Sequence, residues 1–265
     1  MILSPIEQSI KRKIEAVGTP LKDWDIQINY GIKTGYNDAF IISTEKRNEI
    51  LANCATEEER KKTDELIRPI LRGRDIKRYG YEWADLWLIN THNGVKGRIP
   101  RIRIENYPAV KAHLDRYWDK IKDRADQGDT PYNLRNCAYL EDFSRPKIVY
   151  REIGYEMDAC MVPEDWYVNN KLYLIVGDFV DYLLAFLNSK VFNRIILPSA
   201  NMTGGKGVDF LEKIRTPKDP HLITVIQSIV ESKGKGWEDR VDIVFNKFFG
   251  LTEEESVFLS KDNSL

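Results

Sequence analysis

Residues Leu66–Tyr79 read LIRPILRGRDIKRY, and the rest of the chain can be interpreted outward from this stretch. An apolar pair opens it, Pro69 turns it, and four cations follow: Arg72, Arg74, Lys77 and Arg78. The planar fork of arginine matches phosphate oxygens and the guanine edge, so the segment favours a polyanion ligand. The alternative is a solvated basic face, which is the usual role of an isolated charge run.

Positive charge is concentrated around this stretch. From Arg68 to Arg103 there are nine Lys or Arg and three acidic residues, a net of +6, whereas the whole chain has a net charge of −1. With a pI of about 6.4, any site for a polyanion must be local. This interpretation requires five cations to share one side and to remain free of carboxylates: Arg72, Arg74, Lys77, Arg98 and Arg101.

Length and composition indicate a globular protein with a full core. The 265 residues, of which 42% are hydrophobic, suffice for one large domain or for a main domain with a small appendage. Cys54, Cys137 and Cys160 are odd in number and widely spaced, so neither a disulfide framework nor a zinc site is predicted. No stretch is long enough to span a bilayer, and we expect a cytoplasmic protein without bound metal.

Hydrophobic periodicity predicts a mixture of helices and strands. Ser4-Pro5-Ile6-Glu7 has the form of a helix start with a capping box, and alternation from Trp24 to Tyr30 predicts a half-buried strand. Further strands are expected at 86–89, 147–150 and 172–176, and helices at 44–52, 56–66, 106–121 and 179–192. Asp178 is expected to cap the last of these helices. After Pro217, two amphipathic helices joined by SKGKG predict a helical hairpin.

The segment GIKTGYNDAFII, residues 31–42, places Lys33-Thr34 between two glycines. A nucleotide P-loop needs four residues between its glycines and the Lys-Ser/Thr pair after the second, so this spacing excludes NTP binding. Two alternatives are left. The segment is either a tight turn that offers backbone N–H groups and Lys33 to a DNA phosphate, or a plain structural turn.

Three further segments carry side chains suited to DNA. Arg101 and Arg103 alternate with isoleucines, which would place both guanidinium groups on one side of an extended segment, although a solvated edge strand gives the same pattern. The polar segment 151–171 contributes Asn169 and Lys171, which could reach base edges, with an ordered connecting loop as the alternative. The small-residue loop 198–207 contributes Asn201 and Lys206 as a second possible DNA contact.

Taken in order, the motifs GIKTGYNDAF, LIRPILRGRDIKRY, RPKIVY, YLLAFLNSKVF and FFGLTEEE resemble the TaqI-like C-terminal target recognition domain of Type IIG restriction-modification enzymes. The resemblance runs roughly from residue 5 to residue 258. It implies a domain that reads an asymmetric duplex DNA sequence and holds the DNA against an N6-adenine methyltransferase domain. It also implies a mixed α/β fold, similar to the recognition domains of Type I specificity subunits. We expect a twisted, mostly antiparallel sheet with packed helices, followed by the C-terminal helical hairpin.

The resemblance supplies candidate residues and partners. From the two first motifs, the expected DNA-binding residues are Lys33, Thr34, Asn37, Arg72, Arg74, Lys77 and Arg78. Loops near 91–103, 152–171 and 201–206 are expected to read bases, which adds Arg98, Arg101, Arg103, Asn169, Lys171, Asn201 and Lys206. Asp75 could instead pair with a neighbouring arginine, which would make part of the first cluster structural. We expect an N-terminal helix and connector at 1–25, the recognition domain at 26–216 and a helical segment at 217–265.

The chain lacks the motifs of catalysis. It has no Asn-Pro-Pro-Tyr to hold a flipped adenine, no glycine-rich S-adenosylmethionine loop, and no Pro-Asp with acid-x-Lys for metal-dependent cleavage. No cofactor is therefore expected in this chain, whereas S-adenosylmethionine and Mg are expected for a parent adenine-N6 methyltransferase or restriction enzyme. The first hypothesis is sequence-specific binding of double-stranded DNA beside a methyltransferase domain in cis or in trans. The alternative is a protein-interaction module whose helices after Pro217 dock onto a methyltransferase or nuclease partner.

Overall fold

The computed structural model describes residues 3–151, 157–198 and 214–261. Its helices are α1 (Pro5–Val17), α2 (Asn37–Phe40), α3 (Thr44–Ala52), α4 (Glu57–Leu66), α5 (Pro108–Asp115), α6 (Trp118–Ile121), α7 (Val180–Leu187), α8 (Pro220–Ser232), α9 (Trp237–Phe248) and α10 (Glu253–Ser260). Its strands are β1 (Thr19–Pro20), β2 (Ile26–Tyr30), β3 (Ile41–Ser43), β4 (Ile67–Leu71), β5 (Ile76–Lys77), β6 (Gly80–Tyr81), β7 (Leu86–Ile89), β8 (Lys147–Arg151), β9 (Ala159–Val162), β10 (Tyr167–Val168), β11 (Leu172–Gly177) and β12 (Arg215–Thr216). The predicted mixed α/β fold is confirmed.

The body contains two four-stranded sheets. The first has the order β2-β11-β8-β9 and is antiparallel throughout. The second has the order β10-β4-β7-β3, with one parallel pair, β10 and β4, and two antiparallel pairs. The chain passes from one sheet to the other in the short turn between β10 and β11, where the Leu172 N–H donates to the Asn169 carbonyl at 3.0 Å. Most pairings are antiparallel, as expected, but the strands are divided between these two sheets and two smaller two-stranded ones, β1-β12 and β5-β6.

Alternate residues of the first sheet face two different cores. Ile148 and Ile175 pack with helices α1 and α7 to α10, whereas Val149 and Leu174 pack with the second sheet and with helices α3 to α6. Side chains alternate along a strand, so β8 and β11, whose central residues are apolar and buried, serve both cores. The first sheet therefore lies between a helical layer and the second sheet.

Both ends of the described chain belong to the first core. Strands β1 and β12 pair with each other, and Ile10 of α1 is buried with Ile226 of α8 and Leu259 of α10. Glu255 joins the ends further, because its carboxylate accepts hydrogen bonds from Ser9 at 2.8 Å and Lys13 at 2.6 Å. The helices after Pro217 thus pack on the body. No helix among the described residues is long and apolar enough to cross a membrane.

Local features differ from the predictions at two helices. The single helix predicted at 106–121 is divided into α5 and α6, yet Val110, Leu114 and Ile121 still enter one core, so the apolar spacing survives the break. Asp178 does not cap α7. The residue before the helix is Phe179 in a left-handed conformation, with φ 59°, while the Asp178 N–H donates to the Asp25 carbonyl at 3.1 Å.

Helix α7 also ends earlier than predicted, at Leu187. The Asn188 side chain exchanges two hydrogen bonds with the backbone of Ala159 in β9, at 2.9 and 3.1 Å. Asn188 therefore ties the end of the helix to the sheet. A second helical segment with a π-turn at Phe192–Ile196 follows it.

Candidate nucleic-acid interface

Asp75 holds Arg72 within the turn that follows β4. The buried Asp75 carboxylate accepts hydrogen bonds from the Arg72 backbone N–H at 2.8 Å and from its guanidinium group at 3.2 and 3.0 Å. These bonds satisfy both carboxylate oxygens and fix the arginine side chain. Asp75 therefore pairs with a neighbouring arginine, as the structural alternative for this part of the basic cluster predicted, and the partner is Arg72.

Arg78 joins the body to the C-terminal helices. Its guanidinium group donates to the Asn188 carbonyl at 3.3 and 3.1 Å and forms an ion pair with Glu238 of α9. The neighbouring Tyr79 packs against Trp237, with 4.5 Å between ring centroids. Both residues therefore contribute to the packing of α9 on the body.

Arg74 and Lys77 are exposed as well, and among the described residues neither contacts the C-terminal helices as Arg78 does. Lys77 lies 3.4 Å from Glu82, and both partners are solvent-accessible. Arg74 makes no ion pair with any residue in the described part of the chain. Gly73 lies next to Lys171, since a Cβ on Gly73 would be 3.9 Å from the Lys171 Cβ. The fold thus brings the turn that carries Arg74 beside the turn that carries Asn169 and Lys171.

The loop at residues 31–37 reaches the same place. The Ile32 N–H donates to the Val168 carbonyl at 2.8 Å, and the Asn169 N–H donates to the Leu71 carbonyl at 3.0 Å. A Cβ on Gly31 would lie 2.2 Å from the Asn169 carbonyl oxygen, so this close approach requires glycine. The predicted loop, the 169–171 turn and the end of β4 are therefore direct neighbours, although they are far apart in sequence.

Within that loop, the predicted residues have different environments. Thr34 is buried and donates its hydroxyl hydrogen to the Asn37 side chain at 2.6 Å. Lys33 is half-buried, with its ammonium group 5.3 Å from the centre of the Tyr30 ring. Of the predicted residues, Thr34 stabilises the loop, whereas Lys33 and Asn37 retain access to solvent.

Arg124 fixes this loop and was not predicted. Its buried guanidinium group donates to the carbonyls of Thr34 at 2.9 Å and Ile121 at 3.3 Å, and also to those of Pro131 and Asn133. Burial lowers the pKa of Arg124 to about 10, and Asp126 opposes that change. Its signal in the sequence is one arginine in a charge-rich helix end, which does not reveal four carbonyl partners.

Residues 91–103 form a loop around a tight hairpin. The N–H groups of Val95 and Ile99 each donate to the carbonyl of the other residue at 2.9 Å, and the tip between them is Lys96-Gly97-Arg98. Gly94 and Gly97 have φ values of 74° and 76°, in the region that favours glycine. Lys96 and Arg98 are exposed at the tip.

A second segment, residues 128–136, braces this loop. The buried Asn133 side chain donates to the Ile102 carbonyl at 2.9 Å and to those of Thr91 and His92 at 3.4 Å. The Asn93 side chain donates to Asp129 at 2.9 Å, and the Asp129 N–H donates back to Asn93 at 2.8 Å. Side-chain hydrogen bonds therefore anchor both ends of the loop.

A groove of about 770 Å³ lies between the hairpin and residues 136–138. Three cations line the groove: Lys96, Arg98 and Arg101. Polar partners stand beside them, namely Asn93, Asn136 and Asp129. Arginine and asparagine are the side chains that read guanine and adenine edges through paired hydrogen bonds. The arrangement can thus bind an anion and read a base edge at one place.

Most of the five cations on which the charge argument depends are paired. Arg72 pairs with Asp75, Lys77 with Glu82, Arg98 with Glu141 and Arg101 with Asp129, so Arg74 alone of the five lacks a carboxylate among the described residues. The requirement for carboxylate-free cations is not met, so the charge count by itself no longer supports a DNA-binding surface, and the interpretation rests on the family resemblance. Asn201 and Lys206 lie outside the described residues, and so do residues 152–156 of the polar segment.

The predicted extended segment at Arg101 and Arg103 is not a strand. Both arginines are exposed and the intervening Ile102 is half-buried, while Ile104 begins a short 3-10 turn and is buried. The alternation of polar and apolar residues is therefore preserved. It places Arg101 and Arg103 in solvent beside the groove, in an irregular segment anchored by Asn133.

Comparison with known proteins identifies the family. The model of the TaqI-like C-terminal specificity domain matches residues 68–208, which is more than half of the chain. The chain belongs to the TaqI-like C-terminal specificity domain family. No curated protein matches this specificity domain.

Two solved structures are similar to the specificity domain. The Type IIL restriction-modification enzyme MmeI, solved in complex with DNA, matches with a TM-score of 0.58 and 12% identity over 91% of this chain and 35% of that one. The type IIG restriction endonuclease BpuSI matches with a TM-score of 0.47 and 13% identity over 96% of this chain and 34% of that one. At this identity the MmeI likeness shows a shared fold. The specificity domain spans about a third of the length of both proteins.

The range matched by the family model includes most of the candidate DNA-binding residues, but not all of them. It includes the central segment, the hairpin loop with its groove, and the 169–171 turn. The loop that carries Lys33 precedes it, and its place beside Asn169 comes from the fold alone. The family assignment therefore covers the groove, which is lined by three exposed cations.

Proposed function

We propose that this specificity domain recognises a double-stranded DNA sequence for a restriction-modification enzyme whose methyltransferase modifies adenine at N6. It would act in the reducing cytoplasm, where its three free cysteines stay unpaired. The methyltransferase would be supplied in cis or in trans, and S-adenosylmethionine and Mg would belong to that part of the enzyme. This domain contributes the reading of the target.

The observation that carries the proposal is the braced hairpin inside the family-matched range. It presents Lys96, Arg98, Arg101 and Arg103 to solvent, beside the amide side chains of Asn93 and Asn136. Recognition needs cations to bind phosphates and rigid amide or guanidinium groups to read bases. A loop that is fixed before binding supplies both without a large ordering cost.

The proposal assigns different roles to the predicted residues. Arg74, Lys77, Lys171 and Lys33 lie at neighbouring turns and would contact phosphates, which sets the position of the duplex but not the sequence. The groove residues Arg98, Arg101 and Asn136 would reach base edges. Arg72, Arg78 and Thr34 support the turns from which the others project.

Binding of duplexes by the 265-residue chain tests this function. Fluorescence anisotropy at low and physiological salt should show an affinity that falls with salt, with a slope of about −0.9 per phosphate contact. Selection from a pool of randomised duplexes should then enrich one sequence. Absence of binding even at low salt would contradict the proposal.

One observation favours a second function. A shallow groove of about 560 Å³ between α8 and α9 is lined by Val225, Ile229, Ile243 and Val244, and Ile243 is 63% exposed. An apolar surface of this kind is typical of protein contacts. The domain would then dock onto a methyltransferase or nuclease partner without reading DNA itself. Binding of DNA by the partner alone, unchanged when this chain is added, would support that function.

A further inference from the structure

Two carboxylates occupy the arginines of the groove. Glu141 pairs with Arg98, whose guanidinium group also donates to the Ala138 carbonyl at 3.4 Å. Asp129 pairs with Arg101 at 3.0 Å. Both acids lie within residues 128–141, on the side of the groove opposite the loop at 91–103. Each ion pair therefore links that loop to the opposite side of the groove.

These pairs are exchangeable, in contrast to the pair of Arg72 with Asp75. The side chains of Arg98 and Glu141 are 58% and 50% exposed, whereas that of Asp75 is 4% exposed. An ion pair in solvent shifts an equilibrium by about fivefold at most. A phosphate or a guanine edge can therefore replace Glu141 or Asp129, because both present acceptors that match the guanidinium fork.

The replacement has different consequences for different duplexes. A duplex without the target sequence offers only phosphate oxygens in place of the carboxylate. The arginine then exchanges one anionic partner for another, with little net gain in binding free energy. It can instead bind through Arg74, Lys96 and Arg103, which make no ion pair within the described residues. A duplex with the target sequence adds base contacts in the groove and so favours release of the arginines.

We propose that Glu141 and Asp129 are specificity-determining residues, which hold Arg98 and Arg101 away from DNA unless base contacts displace them. This inference rests on the proposed function. The ligand that competes with the carboxylates is the polyanionic backbone of duplex DNA. The two acids thereby lower affinity for sequences that lack the target.

Charge-neutral variants of the acids test the inference with a random-sequence duplex as the probe. Glu141→Gln should bind this duplex about twofold to fivefold more tightly, and Glu141→Gln with Asp129→Asn about fivefold to tenfold, with a steeper salt dependence. The control is Glu254→Gln on α10, an exposed acid of the helical layer, which changes net charge equally. It should stay within twofold of the parent chain.

A double-mutant cycle separates competition from a structural role. Arg98→Ala should change the affinity for the random duplex by less than twofold in the parent, where Glu141 occupies the arginine. The same substitution in the Glu141→Gln background should weaken binding about threefold or more. Selection from a randomised pool should also give weaker enrichment of the preferred sequence by the Glu141→Gln variant.

The outcomes distinguish this inference from the function on which it rests. If the parent binds duplexes and Glu141→Gln binds no more tightly than Glu254→Gln, or more weakly, the inference is wrong and the proposed function stands. If neither the parent nor any variant binds at low salt, both are wrong. Asp129→Asn, which keeps an acceptor oxygen for the Asn93 amide, provides a second variant should Glu141→Gln disturb folding, as judged by circular dichroism.

Discussion

Arg72 and Arg74 are separated by one glycine, yet they differ in environment. Arg72 is bonded to the buried Asp75, whereas Arg74 is exposed. Arg72→Ala leaves a buried carboxylate without its cation, so we expect a loss of about 2–3 kcal/mol in the free energy of unfolding. Arg74→Ala should change it by less than about 0.5 kcal/mol. Urea denaturation of both variants measures this, and equal stabilities would contradict the structural role of Arg72.

Lys147 is fully buried and donates to the Pro163 carbonyl at 2.8 Å. Burial lowers its pKa from 10.5 to about 8, although Asp165, Glu164 and Asp142 oppose the change. Between pH 8 and 10.5 the folded state has lost a proton that the unfolded state still binds, so this group makes stability rise with pH. The penalty from Lys147 is therefore greatest below pH 8.

Lys147→Met isolates this effect from the other titrating groups. The free energy of unfolding of the variant, minus that of the parent, should fall by up to about 3 kcal/mol between pH 7 and pH 10.5. Urea denaturation at both pH values measures the difference. A difference that does not change with pH would show that Lys147 keeps an ordinary pKa in the folded state.

At this scale the sequence revealed residue types but not partners. Counting charge from Arg68 to Arg103 gave a net of +6, and the count included Asp75 but omitted Asp129 and Glu141. The fold brings those two acids beside Arg101 and Arg98 from 28 and 43 residues away. A charge window along the chain cannot detect neutralisation by residues outside it. Arg124 was not recognised because its partners are backbone carbonyls, which every residue carries.

Among the elements, the hairpin depends on two glycines of similar φ but different surroundings. A Cβ on Gly94 would lie 2.4 Å from the Ile99 carbonyl oxygen, whereas one on Gly97 would meet nothing within 4 Å. Gly97→Ala should therefore incur only the backbone penalty of about 1–2 kcal/mol. Gly94→Ala must also displace the opposite strand of the hairpin.

Amide hydrogen exchange of Val95 and Ile99 measures the outcome. Both N–H groups close the hairpin, so their exchange should become much faster in Gly94→Ala than in Gly97→Ala. Duplex affinity should fall in the same order, because the loop must then be ordered on binding. Equal exchange in the two variants would contradict the close packing inferred for Gly94.

Helices α1 and α10 are joined by one carboxylate. Burial alone would raise the pKa of Glu255, but hydrogen bonds from Lys13, the Thr252 N–H and Ser9 lower it from 4.5 to about 2. Because the folded pKa is lowered, Glu255 stabilises the fold above pH 4.5, and that stabilisation is lost as the pH falls from 4.5 to 2. The contribution is up to about 3 kcal/mol.

Glu255→Gln tests this link. The variant should be less stable than the parent at pH 7, and the difference should shrink as the pH is lowered toward 2. Glu254→Gln, on the same helix but exposed, should behave like the parent throughout. Urea denaturation across this range provides the measurement, and a difference independent of pH would contradict the lowered pKa.

Elements that depend on local signals were predicted well. The capping residue Ser4 starts α1, and the strands β7, β8 and β11 lie where apolar runs predicted them. Helix ends set by distant groups were not predicted. Asn188 ends α7 through its hydrogen bonds to Ala159, and the Asp25 carbonyl fixes the turn before that helix. Neither contact can be predicted from the spacing of residues near the helix.

For the whole molecule, the sequence indicated the class of fold but not the division of its strands. The parallel pairing of β10 with β4 joins residues 167–168 to residues 70–71, and this places the 169–171 turn beside the central segment. Pairings over such distances are set by tertiary packing, so one predicted sheet became two. The same packing brings the loops at 31–37, 72–77 and 169–171 together.

The central claim is that the hairpin loop at residues 91–103 binds duplex DNA, and a charge-matched comparison tests it directly. The variant Lys96→Ala with Arg103→Ala removes two exposed cations of the loop, and Arg12→Ala with Lys247→Ala removes two exposed cations of the helical layer. The first should weaken duplex binding about tenfold or more and flatten the salt slope by about 2, while the second should stay within twofold of the parent. Equal affinities and equal salt slopes for the two double variants would contradict the account.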